Sequence, residues 1–290
     1  MSEMIVRGAV PAEPPAELRF RRRMEMGTFL RLAWRSRSLA AALTERELRA
    51  RYKQALLGIA WAFAAPLGYV VVFTIFFDKT AKIETFDRPY PVFAYAALIP
   101  WGFFAQAMTR GSTAVIENLV LLNKVACPRE TFVFAAIFTA LVDSAVAAVA
   151  FPVVVIALGE SFYAATVWLI PILVLQLMYA LGFSLLVGAV LMYVRDVRHL
   201  LPLLSQLLMF ATPVVWGMQA LRNSLSPLAV DGYAFINPMA TVCESYRRTL
   251  VYGHAPDWHL VGLSSVSSFL LLYLGYRVFK RLEPGFADVA

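Results

Sequence analysis

Long apolar runs occur at six places in the chain, near 55–77, 92–117, 131–158, 164–193, 200–219 and 258–279, each bounded by charged or turn-forming residues. A bilayer's hydrocarbon core is about 30 Å thick and takes about 20 helical residues at a rise of about 1.5 Å each. Every run reaches that length. Backbone polar groups facing lipid must be paired within their own segment, so each run is predicted to be an α-helix. The predicted fold class is therefore an all-α integral membrane protein with six transmembrane helices.

Two segments depart from this pattern. In "MGTFLRLAWRSRSLAAAL", Met26, Phe29, Leu30, Ala33 and Trp34 fall on one helical face and Arg31 and Arg35 on another. That pattern predicts an N-terminal amphipathic helix, either in the headgroup region with its arginines on anionic lipid or docked on a partner protein. The segment 220–257 holds Asp231, Asn237, Pro238 and Glu244 among apolar stretches. It is too polar to span and too apolar for a free loop, which suggests short external helices re-entering before the last span. The chain divides accordingly into an N-terminal segment 1–53, a six-span domain 54–280 and a C-terminal tail 281–290.

Composition agrees. Of 290 residues 60% are hydrophobic and 16% charged, and the mean hydropathy is +0.67. A soluble domain is usually about a quarter charged. The net charge of +7 is concentrated at one end: residues 1–53 hold twelve Lys/Arg against six Glu. No basic stripe with interleaved aromatics appears elsewhere, which argues against nucleic acid as a partner. With the N-terminus inside, Lys124, Arg129, Arg195, Arg198, Arg277, Lys280 and Arg281 join those twelve, giving nineteen inner cations. Six lie outside: Lys79, Lys82, Arg88, Arg222, Arg247 and Arg248. The asymmetry predicts both termini in the cytoplasm.

Candidate chemistry is sparse. None of the fifteen glycines precedes a lysine, so the phosphate cradle G-x-x-x-x-G-K-[ST] is absent and any ATP would bind a separate protein. His199 is predicted inside, and His254 and His259 outside, so no metal or catalytic cluster is expected. Cys127 and Cys243 fall on opposite sides and cannot pair within one chain. Asp143 lies near the middle of the third run, where an acid costs about 2.5–3.5 kcal/mol on insertion scales. It must face a lumen, a dimer interface or a structural partner. Arg110 is placed to snorkel toward the inner surface. Tyr90, Trp101, Trp168, Trp216 and Trp258 match an interfacial aromatic belt.

Four stretches carry a resemblance: "RYKQALLGIAWAFAAP" (Arg51–Pro66), "NKVACPRE" (Asn123–Glu130), "YVRDVRHLLPLLSQLLMFATPVVW" (Tyr193–Trp216) and "NPMATVCESYRRTLVYG" (Asn237–Gly253). In this order and spacing they resemble the transmembrane permease subunit of ABC exporters for O-antigen, teichoic acid and related glycans. The resemblance implies a homodimer in a bacterial inner membrane, with two copies of a separate ATPase carrying ATP and Mg. A lipid-linked polysaccharide would move outward between the protomers. It further implies that the link after the second span, with Leu121, Leu122, Asn123, Lys124, Pro128, Arg129 and Glu130, is a coupling helix for the ATPase. Arg195, Asp196 and Arg198 would form a second inner knuckle, Asp196 capping the helix that follows. Phe73, Phe76, Phe77, Phe103, Phe104 and Phe210, with Asp143, are candidates for lining the path. Asn237, Pro238, Glu244, Arg247 and Arg248 are candidates for an external gate, the charged three either meeting phosphate or forming surface ion pairs. The alternatives are an ABC exporter of a lipid or drug, and an integral membrane glycosyl- or acyltransferase.

Overall fold

The computed structural model describes residues 31, 34, 36–53, 60–78, 85, 88–122 and 127–287. Among these, all regular structure is helical. In chain order, α1 is Arg37–Lys53 and α2 is Ala60–Phe73, continued by a π-turn at Thr74–Asp78. The helix α3, Tyr90–Glu117, passes through a second π-turn at Ala107–Gly111. Next come α4, Glu130–Ala157, and α5, Ala164–Leu191. Four shorter helices follow: α6 (Val197–Ala211), α7 (Met218–Ser224), α8 (Pro227–Ile236) and α9 (Pro238–Leu250). The last helix, α10, is Trp258–Leu282 with a 3₁₀ turn at Glu283–Ala287.

By length and composition, α3, α4, α5 and α10 are able to cross a bilayer. They match the predicted runs to within a few residues, because bilayer thickness sets both limits. The first predicted run is seen from Ala60 onward; 54–59 lie outside the described residues. The fifth is corrected. Predicted at 200–219, it ends at Ala211, with Thr212 extended at φ −91° and ψ 144°. Pro213 is the cause: it has no amide hydrogen, and its ring pushes the preceding residue out of the helical region. Fifteen residues reach only about 22 Å, short of the hydrocarbon core.

The axis of the bundle is α3, whose most apolar window is 72% buried against 22–39% in the other three long helices. Carbonyls of α3 around Pro100 take additional donors from neighbouring helices. Ser144 donates to the Ile99 carbonyl at 3.2 Å and Gln176 to that of Pro100 at 2.9 Å. At the π-turn, Ser184 donates to the Ala107 carbonyl at 2.8 Å. Such re-satisfaction by neighbouring helices is what lipid requires of an irregular span.

Glycine sets the closest helix contact. A Cβ on Gly275 of α10 would lie 2.3 Å from the Gly182 carbonyl oxygen of α5, and one on Gly182 would lie 2.6 Å from the Leu272 nitrogen. Small residues let backbones approach where lipid gives no hydrophobic drive. Opposite, α1 runs parallel to α4: Thr44 donates to the Ala135 carbonyl at 3.1 Å, Thr139 to Glu47 at 3.4 Å, and Arg51 pairs with Asp143. The predicted amphipathic helix falls mostly outside the described residues. Within it, Trp34 is exposed with the Arg37 guanidinium 3.9 Å over its ring.

Candidate functional site

The element that stands apart is α6, whose sequence VRHLLPLLSQLLMFA alternates faces at helical spacing. Only Leu201 and Met209 are buried, while Leu200, Leu203, Leu207 and Phe210 are each more than half exposed. Gln206 is exposed on this helix as well. A side-chain amide is costly against hydrocarbon, so this face is suited to protein or water rather than to lipid alone.

Beyond α6 the chain is non-helical from Thr212 to Gly217, leaving a helix end with unpaired carbonyls. Several carbonyls of this end and of the loop accept from side chains. Trp216 donates to the Phe210 carbonyl at 2.9 Å, and Tyr233 to that of Ala211. Tyr90 donates to Val215 at 2.8 Å. The guanidinium of Arg247 on α9 donates to Pro213 at 2.6 Å, Trp216 at 2.9 Å, Phe93 at 3.2 Å, and also to Val214. It lies 3.8 Å over the Phe93 ring. Asn237 joins from α8's end, donating to the Thr212 hydroxyl at 2.9 Å.

Arg247 is therefore corrected. It was expected in an external gate or a surface ion pair, but its side chain is 0% exposed, and the Glu244 carboxylate stands 3.9 Å away. Five planar donors suit a broken helix end that a lysine's point charge does not. Pro238 is buried at the start of α9, and Arg248 donates to the Ala255 carbonyl at 2.8 Å. The sequence signal for this clamp was Thr212-Pro213 at the end of an apolar run; nothing in it pointed to Arg247 as the partner. Nearby, Asp257 accepts from Arg222 at 2.7 Å and from the Leu260 amide at 3.4 Å. Burial pushes its carboxyl up, but Arg222, the Leu260 amide and Arg248 outweigh it and hold it below its ordinary value.

At the opposite, basic end the link before α4 is tied to the end of α10. Glu130 is 0% exposed, with its carboxylate 2.8 Å from the Lys280 ammonium, which also reaches Glu283 at 2.9 Å. Arg129 donates to the Glu283 carbonyl, and Tyr193 to that of Leu282 at 3.0 Å. Glu130, expected in the coupling link, is instead drawn into the bundle by the lysine. Arg195, Asp196 and Arg198 are exposed beside it. Asp196 occupies the predicted capping position on α6 but makes no side-chain cap bond. Leu121 is half-buried, as is Pro128. The side chains of Leu122 and Phe77, and all of Asn123 and Lys124, lie outside the described residues.

Of the three alternatives for Asp143 the structural partner is the one seen: it pairs with Arg51 and accepts from Tyr52 at 2.6 Å. Two further expectations are corrected. Phe73, Phe103 and Phe104 are buried inside the protomer, Phe104 stacking on Tyr179 at 5.0 Å; Phe76 and Phe210 are exposed. Trp101 and Tyr90 lie in the core rather than in a belt, whereas Trp168 and Trp258 are exposed and meet edge to face at 5.1 Å. Arg110, expected to snorkel toward the inner surface, is exposed and lies 3.6 Å from Glu47 of α1.

Helices alone among the described residues, four of them of bilayer length, define the class as a multi-pass membrane protein. The profile of the ABC-2 type transporter family matches residues 38–251, and the chain belongs to that family. Membership makes it the membrane component of an ABC transporter that works with a partner ATPase, and not itself an enzyme. Among similar proteins, the O-antigen export system permease protein RfbA of Myxococcus xanthus is 27% identical over 264 residues, covering 89% of this chain and 98% of the relative. The protein of the same name from Klebsiella pneumoniae is 23% identical, covering 87% of this chain and 94% of its own length. The polysialic acid transport protein KpsM of Escherichia coli is 24% identical, covering 83% and 92%.

Proposed function

We propose that this chain is one of two identical membrane subunits of an ATP-driven exporter that moves a lipid-linked polysaccharide outward across a bacterial inner membrane. The observation that carries the cargo is the match, over 89% of the chain, to a relative named for O-antigen export. Both termini face the cytoplasm, in keeping with the nineteen-to-six cation asymmetry. ATP and Mg sit on two copies of the partner ATPase, which pushes on the link around Leu121–Arg129 and on the exposed Arg195–Arg198 knuckle. Since Arg129 and Glu130 are bound to the end of α10, a push at the link reaches the last span directly.

The exposed face of α6, with Gln206, supports a path between two copies. One end of α6 is anchored by the Arg247 clamp and its other faces are weakly held, so it is suited to tilt while the frame stays fixed. Closed C₂ pairing is the commonest way for identical subunits to enclose such a path. The test is a chromosomal deletion complemented with the intact gene. Surface polysaccharide should vanish and lipid-linked polymer should accumulate inside the deletion strain. Unchanged surface polysaccharide would refute the assignment.

A further inference from the structure

A cavity of about 410 Å³ lies within one protomer between α3, α4 and α5, floored by Tyr246 of α9. Its walls are carbon: Ile99 and Phe103 from α3, Ala148 and Phe151 from α4, Ile170 and Leu173 from α5. Of the polar groups that touch it, four have already spent a donor. Ser144 and Gln176 donate to α3 carbonyls, Tyr246 donates to Gln176 at 3.2 Å, and Thr166 to the Tyr163 carbonyl at 2.7 Å. Water needs two to four polar partners and finds few here.

Depth and opening fix the shape of an occupant. From Thr166 to Gln176 the cavity follows ten residues of α5, about 15 Å, which is half of the hydrocarbon core. Phe162 and Ile170 on its rim are exposed, so it opens sideways between α4 and α5. At the outer end of this slot Arg88 pairs with Glu160 at 2.6 Å and donates to the Tyr163 hydroxyl at 2.8 Å. The Arg88 and Glu160 side chains keep 32% and 15% exposure, so a cation and an anion stand side by side at the mouth.

We propose that this cavity is a binding site for a zwitterionic glycerophospholipid of the leaflet at the Tyr163 end. One acyl chain fills the slot between α4 and α5. The phosphate meets Arg88 and a headgroup ammonium meets Glu160, a pair of charges that an anionic headgroup with no ammonium matches only by half. The site is independent of the cargo proposed above, since it lies inside each protomer and away from α6.

The test uses the full chain in nanodiscs containing phosphatidylethanolamine with a diazirine near the end of one acyl chain. The account predicts crosslinks concentrated in 141–152 and 166–173, falling at least fivefold in Ala148→Phe at matched yield and melting temperature. If that variant does not fold, Ala145→Leu takes its place. The same photolipid with a glycerol headgroup should label at most a third as strongly, and Glu160→Gln should erase that difference. Labelling spread evenly over the lipid-facing helices would overturn the site. So would equal labelling by both headgroups, or displacement by polyprenyl phosphate but not by phosphatidylethanolamine. Protection of these peptides by a second copy in crosslinked dimers would overturn it too.

Discussion

The helices α5 and α6 follow one another in the chain and are both rich in leucine, yet they meet the molecule in opposite ways. Along α5, glycine and serine lie against the backbones of α3 and α10, and Gly182 touches the Gly275 turn directly. Along α6 only Leu201 and Met209 are covered, and the helix is held chiefly by the side chains that receive its broken end. Apolar content puts a helix in the membrane; small residues decide whether it becomes frame. The difference separates a rigid support from an element free to move against it.

The clamp should give the largest effect. Arg247→Met removes the donors for four carbonyls at once and leaves them buried, at a cost on the order of 3 kcal/mol or more. Arg247→Lys should recover little, because one ammonium cannot span the set. Thermal melting in detergent, read with the yield of monodisperse protein, checks both. A melting point within one or two degrees of wild type would mean that the α6 end is not held this way.

Next comes the frame. Gly275→Ala drives a methyl into the Gly182 carbonyl and should cost about 1–3 kcal/mol. Gly262→Ala, on the same helix with nothing within 4 Å, should be neutral or mildly stabilising. Leu207→Ala on α6 should also leave melting nearly unchanged, since the side chain is 61% exposed. A Leu207→Ala loss equal to that of Gly275→Ala would erase the contrast between the two helices.

How far the sequence led is clear from particular residues. The long spans were legible to within a few residues because bilayer thickness dictates run length, and α3, α4, α5 and α10 end where charge or proline begins. The end of α6 was legible in principle, since Pro213 disfavours the helical region at Thr212. The clamp was not. Arg247 lies 34 residues from Pro213 in the chain, and only the packed fold brings an arginine of an outwardly polar segment onto those carbonyls. Asp143 was legible as a charge in need of a partner, but Arg51, 92 residues away, could not be chosen from spacing. The same limit applies to Glu130, whose lysine comes from the far end of the chain.

A smaller effect sharpens the role of α1. Asp143→Asn leaves Arg51 with Glu47 alone, and the Arg51–Asp143 coupling in a double-mutant cycle should be about 1–2 kcal/mol. Zero coupling would mean that α1 merely rests on α4. The smallest belongs to Arg222–Asp257, a partly exposed pair worth about 1 kcal/mol at most. The Asp257 carboxyl is held below its ordinary value in the fold, so its stabilisation is complete above about pH 4. It is lost only as pH falls through that depressed value. Asp257→Asn keeps the helix cap and should change melting by a degree or two between pH 8 and 5, by the same amount throughout. A difference that grows across that window would contradict the depressed carboxyl.

The central claim is that the exposed face of α6 borders the transport path while α5 is frame. It is tested most directly by placing single cysteines at Gln206 and, for comparison, at Val174 of α5, both in a Cys127→Ser background. Cys243 is fully buried and stays silent. The measurement is the rate of modification by a water-soluble maleimide in native membranes, with the partner ATPase present and ATP added or withheld. The account predicts that the Gln206→Cys variant reacts at least tenfold faster than Val174→Cys and that its rate changes with ATP. Equal, slow and ATP-independent rates at both positions would contradict it.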